Sequence, residues 1–357
     1  MGPHPVNGLL SLAQLVSPPR PTAPVGLGLP ASLLSSVPQR APSTALVELV
    51  RGLGVESAPT GPVWGFVRER FRRFLDNLDL TSQQVEDGLV KQRGVISCLN
   101  TAYYGHNSEN RNAFLIGSWA KGTRIRPPRD VDLYFLLPAE VFYRFQNYGN
   151  NGQSALLQEV RSRLQARYPG SSIRGDGPVV LAAFHSYSVE VVPAFALTQA
   201  NAYWVCDTKN GGSYKKTMPL HEVSAIEAAD ARNAGNVRRL VRMLKAWQAW
   251  CSVPIKSFYL ELLAIDFLDQ CAWRHQGYFY YDWICRDFFQ WMISRANSFV
   301  IAPGTREFMW IGDAWKSRSE SAYARALKAC DLEYGNKMTE AGGEWQKIFG
   351  LDIPRIV

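Results

Sequence analysis

The stretch that decides the fold runs from Ala113 to Asp132. It begins Ala113-Phe114-Leu115-Ile116-Gly117-Ser118-Trp119-Ala120-Lys121-Gly122-Thr123, passes Arg124, Arg126 and Arg129, and ends on Asp130-Val131-Asp132. Ala113-Phe114-Leu115-Ile116 reads as a short buried strand, apolar throughout. After the turn, Val131, Leu133, Phe135 and Leu137 alternate with Asp130, Asp132, Tyr134 and Leu136, which predicts a second strand with a polar start. The Gly-Ser element between them is expected to open a short helix. Gly117 permits close backbone approach, and free amides at a helix start, with the Ser118 hydroxyl, suit a phosphate. Lys121, Arg124, Arg126 and Arg129 add positive charge to the same loop.

Side chains two apart on a strand share a face and lie roughly 6.6 Å apart. Asp130 and Asp132 therefore present two carboxylates at the mouth of one strand. Unpaired, they repel each other and raise a pKa. A divalent cation removes the conflict, and Mg²⁺ is commonly held by one or two carboxylates plus substrate phosphates. Two such ions clamp the attacking and leaving oxygens of a phosphoryl transfer. A third carboxylate is expected from a later strand. Glu190 is the lone acid in the apolar run Tyr187-Ser188-Val189-Glu190-Val191-Val192-Pro193, where an unpaired buried charge is expensive. The plainer readings are a charged β-turn beside a Gly-rich loop and an edge-strand glutamate facing water. Asp-x-Asp alone is a weak signal, whereas Gly-Ser followed by Asp-x-Asp across strand, turn and strand is far more specific.

Gly117-Ser118, Asp130-Val131-Asp132 and Val189-Glu190-Val191-Val192-Pro193 together resemble the polymerase-β-type nucleotidyltransferase pattern. Within that superfamily the sequence resembles the cGAS/DncV-like nucleotidyltransferases (CD-NTases, the SMODS group) and, more distantly, the oligoadenylate synthetases. The likeness covers roughly Trp64 to Gly350. It implies that Asp130, Asp132 and Glu190 are catalytic and hold two Mg²⁺ ions, with Mn²⁺ an alternative metal. It implies that Lys245, in Val241-Arg242-Met243-Leu244-Lys245-Ala246-Trp247, reaches the triphosphate, beside Gly117, Ser118 and Lys121. In Lys256-Ser257-Phe258-Tyr259-Leu260-Glu261 it assigns Ser257 to phosphate and Phe258 to stacking on the base. Stacking contributes on the order of 1–3 kcal/mol for any base. Read without the resemblance, Phe258 and Tyr259 are core residues and Arg238, Arg239 and Lys245 a solvated basic face. Gly211–His221 resembles the loop before the helical lobe, an acceptor contact or hinge with His221 structural. No counterpart exists to the zinc-binding insertion of animal cyclic GMP–AMP synthase, so double-stranded DNA sensing through such a module is not supported.

Outward from this centre, Trp64, Val67, Phe71, Phe74, Leu75 and Leu78 recur at helical spacing, and a second helix starts after Thr81 or Ser82. A helix is expected over 154–168, strands over 171–174, 178–184 and 187–192, and mostly helix from about His221. Residues from Trp310 through Ala329 read as a short strand and a surface helix. The 357 residues carry a net charge of +8, from 39 basic and 31 acidic side chains, which favours anionic partners. Residues 1–62 hold eleven of the 21 prolines but only five charges, a net of +1, so +7 belongs to the rest. This head reads as a disordered appendage loosely resembling a transit peptide. No apolar run is long enough to span a bilayer, and six scattered cysteines without a CxxC pair or a Cys/His cluster argue against a structural zinc site. They read as reduced thiols of a cytoplasmic protein, with Cys251 and Cys271 in the core.

These readings combine into an α/β (α+β) protein of two lobes. A polymerase-β-like nucleotidyltransferase core with a mixed sheet spans 63–220, and a helical, oligoadenylate-synthetase-like lobe spans 221–357. The expected activity joins NTPs, ATP among them, into a cyclic di- or trinucleotide second messenger with release of pyrophosphate. The resemblance places this in bacterial anti-phage signalling (CBASS), with a downstream effector protein binding the product and no membrane association. The alternatives are a linear oligonucleotide synthetase, an RNA or tRNA terminal nucleotidyltransferase using the basic groups at Arg68–Arg73 and Lys215-Lys216, and a non-catalytic nucleotide-binding protein.

Overall fold

The computed structural model describes residues 65–357; the Pro-rich segment 1–62 lies outside the described residues. The chain opens with helix α1 (Gly65–Asn77) and helix α2 (Ser82–Tyr104). Thr81 caps α2 through a reciprocal capping box with Gln84, the sequence signal that fixes its start. Strand β1 (Ala113–Leu115) leads into the five-residue helix α3 (Gly117–Lys121) and then strand β2 (Val131–Leu136). Helices α4 (Ala139–Gln146) and α5 (Gly152–Arg167) follow, then strands β3 (Ser172–Asp176), β4 (Val179–Ala183), β5 (Ser188–Ala196), β6 (Tyr203–Asp207) and β7 (Ser213–Thr217).

These strands form one seven-stranded mixed sheet in the order β1-β2-β5-β4-β3, with β6 beside the later half of β5 and β7 beyond it. Only the β2–β5 pair is parallel. The sequence ends the β5 strand at Val192, before a proline that cannot donate to a ladder. The strand nevertheless continues to Ala196. Its partner on one side changes there, from β4 (through Val191) to β6 (from Ala194), and Pro193 falls in the gap. Strand β7 lies within the Gly211–His221 segment expected as a loop, because it carries Lys215 and Lys216 on a half-exposed edge and lacks a clean apolar alternation, and β6 has no counterpart among the expected strands. Helix α4 is short and was likewise not legible; Val141, Phe142 and Phe145 bury its inner face.

The second half is helical: α6 (Pro219–Arg232), α7 (Asn236–Trp250), α8 (Ser257–Leu268), α9 (Tyr281–Ile293), α10 (Lys316–Tyr334) and α11 (Met338–Phe349). A two-stranded hairpin, β8 (Phe299–Ile301) and β9 (Phe308–Trp310), interrupts it. His221 packs on its turn: a Cβ on Gly304 would come within 2.8 Å of the His221 Cβ. The expected surface helix α10 is amphipathic, with Ala322, Ala326 and Ala329 buried.

Two hydrophobic cores result. One lies on the sheet, where Val131, Leu133 and Phe135 of β2 meet Val189 and Val191 of β5 under α2 and α5. The other is helical and includes α1, whose Val67, Phe71, Phe74 and Leu75 pack with α7, α9 and α11. Arg70 crosses this second core fully buried. It pairs with Glu333 and donates to the carbonyls of Pro354 (3.1 Å) and Met338 (2.7 Å). All six cysteines are free; Cys271 is buried and Cys251 half-buried. Among the described residues no helix is long and apolar enough to cross a membrane.

Candidate active site

An open cavity of about 440 Å³ lies between the β2 end of the sheet and helices α6, α7 and α8. Its wall includes Gly117, Ser118, Lys121, Asp130, Asp132, Lys245, Ser257 and Phe258, all expected from the sequence. Gly117 at φ +57° is in the left-handed region, and a Cβ there would overlap Asp132 Oδ2. The position therefore needs glycine twice, for its backbone and for the carboxylate above it. Trp119 pins the turn from behind. Gly88 leaves room for its ring, Tyr187 packs edge-on at 5.9 Å, and Arg124 lies 5.0 Å above it.

Asp130 sits just before β2 and Asp132 within it. Asp132 stands in register with Glu190 across the parallel pair. Burial, then the neighbouring Asp130, pushes the Asp132 carboxyl up to about 6, against the pull of Lys121, Lys245 and the Ser118 N–H that donates to it. Burial, then Asp132, Asp130 and Asp176, raises Glu190 to about 7. Asp176, at the end of β3, is a fourth acid the sequence did not single out. Glu190 is not part of the cavity wall itself. Among the described residues no three acid, histidine or cysteine side chains close into a metal cage. An open set of carboxylate oxygens, strained by mutual repulsion, still fits Mg²⁺, which keeps several waters and completes its shell with substrate phosphates.

Opposite the acids lies a second charged group. Lys121 Nζ donates to Glu222 Oε2 (2.8 Å) and Glu261 Oε2 (3.0 Å), 4.6 Å from the Phe258 ring centroid. Lys245 Nζ donates to Thr123 Oγ1 (2.9 Å) and Thr123 O (3.2 Å) and pairs with Glu261 Oε1 at 3.0 Å. Thr123 donates in turn to Glu261 Oε1 at 3.2 Å. Burial works against each of these charges, but the two acids outweigh it at Lys121, whose pKa is raised. At Lys245 burial prevails and the pKa is lowered. Burial also opposes ionisation of Glu261, and the two lysines overcome it and hold its pKa low. Ser257 donates to Gln248 Oε1 at 2.8 Å. Sequence reasoning missed Thr123, Glu222 and Glu261. Glu261 carried a usable signal, being the one early acid in the apolar helix Ser257–Leu268.

Arg238, Arg242 and Lys245 recur at i, i+4 and i+7 on α7, yet they do not form a single cleft-facing surface. Of Arg238, Arg242 and Lys245, only Lys245 lines the cavity. Arg238 donates to the Lys121 carbonyl (2.8 Å) and pairs with Asp230 (2.9 Å), while Arg242 donates to Leu75 O and Asp79. Both tie helices together. In the preceding loop, Arg124 and Arg129 line the cavity, whereas Arg126 donates to Asp79 O.

The Second Messenger Oligonucleotide or Dinucleotide Synthetase (SMODS) domain family matches residues 66–230. No curated protein matches the chain. Among solved structures, Vibrio cholerae DncV cyclic AMP-GMP synthase, in complex with the linear intermediate 5′ pppA(3′,5′)pG, superposes with a TM-score of 0.57 at 13% identity, over 88% of this chain and 92% of that one. Bradyrhizobium diazoefficiens CdnG, a CD-NTase in complex with GTP, gives 0.57 at 11% identity, over 82% and 96%. Escherichia coli MS115-1 CdnC, in a complex with HORMA-deltaN, gives 0.56 at 17% identity, over 80% and 98%. At these identities the structural likeness carries the fold, which is the mixed α/β, polymerase-β-like one expected from the sequence.

Proposed function

We propose that this chain, a cGAS/DncV-like nucleotidyltransferase with a SMODS domain, condenses nucleoside triphosphates into a cyclic di- or trinucleotide and releases pyrophosphate. One observation carries the site assignment. Asp130 and Asp132 line one side of a cavity whose other side holds Lys121, Lys245, Ser257 and Phe258, and Glu190 stands in register with Asp132 beside that wall. In this reading the catalytic core is 63–220 and the helical lobe 221–357.

Asp130, Asp132 and Glu190 would hold two Mg²⁺ ions. Bound there, the metal supplies charge neutralisation and Lewis acidity at the transferring phosphoryl group. The metal, with Glu190, would lower the pKa of the acceptor ribose hydroxyl and so free its oxygen. That oxygen attacks the α-phosphorus, and the bond to the β-phosphate oxygen breaks to release pyrophosphate. Gly117 and Ser118 seat the triphosphate, Lys121, Lys245 and Ser257 offset the charge that grows on the leaving group, and Phe258 stacks on a base. The product would act as a second messenger read by an effector protein in anti-phage defence, in the cytoplasm. The test is to change Asp130 and Asp132 together to Asn and incubate with labelled ATP, CTP, GTP and UTP and Mg²⁺ or Mn²⁺. Product is expected only from the parent protein; undiminished synthesis by the double variant sinks the assignment.

The RNA-directed alternative loses part of its basic track. Arg72 and Arg73 pair with Glu69, Arg70 is buried on Glu333, and Lys215 pairs with Glu307. A gel shift whose affinity falls steeply with salt would restore it.

A further inference from the structure

Counting protons on the two cavity lysines separates them. An ammonium has three donors. Those of Lys245 go to Thr123 Oγ1, Thr123 O and Glu261, with no exposed partner to give up. Lys121 spends two on Glu222 and Glu261 and faces the Phe258 ring at 4.6 Å. Lys245 thus has no spare donor for a phosphate, and Lys121 keeps one, beside the Phe258 ring; a second reaches a phosphate only if a carboxylate withdraws.

The two carboxylates differ in their capacity to withdraw. Glu261 has a side chain only 7% exposed, and both oxygens are bonded within the network. Glu222 has a side chain 30% exposed, and among the described residues Lys121 is its one ion-pair partner. It projects from the first turn of α6, where the helix dipole tolerates its charge in other rotamers. The four charges sum to zero, so a triphosphate meets a neutral group; with Glu222 turned away, it meets one net positive charge.

We propose that Glu222 is a displaceable counter-ion: it holds Lys121 in the empty site and yields it to the triphosphate, while Glu261 stays bound to both lysines. The role rests on the nucleotidyltransferase reading above. Glu222 keeps a buried ammonium paired between turnovers, and it makes entry selective. Only a ligand carrying enough negative charge to replace a carboxylate gains the lysine, so a triphosphate is favoured over a monophosphate or an uncharged nucleoside.

Isothermal titration with a non-hydrolysable α,β-methylene ATP and Mg²⁺, beside steady-state pyrophosphate release from ATP, tests this on the full chain. Glu222→Gln and Glu222→Asp both lose the competing contact, the first by charge and the second by reach. Each is expected to bind the analogue more tightly. For Glu222→Gln the gain is about tenfold, the scale of one partly screened charge a few ångströms away, and it falls on KM rather than kcat. AMP binding gains less than the analogue. A merely structural salt bridge predicts the opposite, lower melting temperature with unchanged or weaker binding, and that result in both variants overturns the proposal. Tight analogue binding by the parent without turnover of any NTP would remove the synthase reading and leave the exchange at Lys121 standing.

Discussion

Removing the charge of Asp132 should make the metal-free protein more stable. Its carboxyl is pushed from 3.8 to about 6, first by burial and then by Asp130. The folded state thus holds the proton more tightly than the unfolded chain does. The associated stability is fully present below about pH 4 and is lost as pH rises through 6. The displacement is about two units, worth about 3 kcal/mol at 1.36 kcal/mol per unit. Asp132→Asn keeps the shape and an oxygen to accept from the Ser118 N–H, and it cannot ionise. In EDTA at pH 8 it should exceed the parent by about 3 kcal/mol, or about 6 °C in melting temperature for a chain of this size. The gap should fall to about half by pH 5 and nearly close by pH 4. Added Mg²⁺ should raise the parent at pH 8 and leave the variant unmoved. Urea unfolding of both proteins across this pH range, with and without Mg²⁺, measures each term. A variant no more stable than the parent at pH 8 in EDTA, or a gap indifferent to pH, refutes the view that this site holds unreconciled charge.

Gly117→Ala must relocate either the turn or the Asp132 carboxylate, because its Cβ overlaps Oδ2 and its φ is +57°. The backbone cost is about 1–2 kcal/mol. The displaced carboxylate should lower kcat/KM by about 100-fold or more in a pyrophosphate-release assay, with the protein still folded by circular dichroism. Arg70→Ala leaves Glu333 without its buried cation and frees the carbonyls of Pro354 and Met338. A loss of about 3–5 kcal/mol in chemical denaturation is expected, whereas Arg72→Ala, whose partners Glu69 and Asp76 are solvent-facing, should change stability by less than about 1 kcal/mol.

The site was legible wherever chemistry concentrates in a short motif. Gly-Ser before Asp-x-Asp placed a turn, a strand and two carboxylates from local pattern alone, and a lone acid among valines marked Glu190. Long-range pairing was not legible. β7 is a strand because β6 supplies its partner, not because Ser213-Tyr214-Lys215-Lys216-Thr217 has strand periodicity. Charge was legible in number but not in destination. Arg238 and Arg242 share a helix face with Lys245, yet their acids, Asp230 and Asp79, come from elsewhere in the chain, and one sequence does not show which cation meets which anion.

The same pairing of cations with distant acids accounts for where the net charge of +8 goes. That charge first indicates an anionic partner, and a basic surface field would be the simplest cause. Many of the cations implicated by the sequence are instead neutralised inside the fold: Arg70 by Glu333, Arg238 by Asp230, and Lys121 and Lys245 by Glu222 and Glu261. Arg124 and Arg129 stay on the cavity wall with no acid at salt-bridge distance among the described residues. Attraction of a triphosphate toward the cleft therefore falls to these two loop arginines, while final capture falls to Lys121 through exchange of its Glu222 partner. The two steps differ in salt dependence. Raising ionic strength screens attraction to half-buried Arg124 and exposed Arg129 beyond about a Debye length, and affects a buried lysine far less. Association rates of a nucleotide analogue should fall with salt in the parent and much less in an Arg124→Gln, Arg129→Gln variant, with dissociation rates nearly constant in both. Equal salt sensitivity of dissociation would instead place the lysines, too, in contact with bulk solvent.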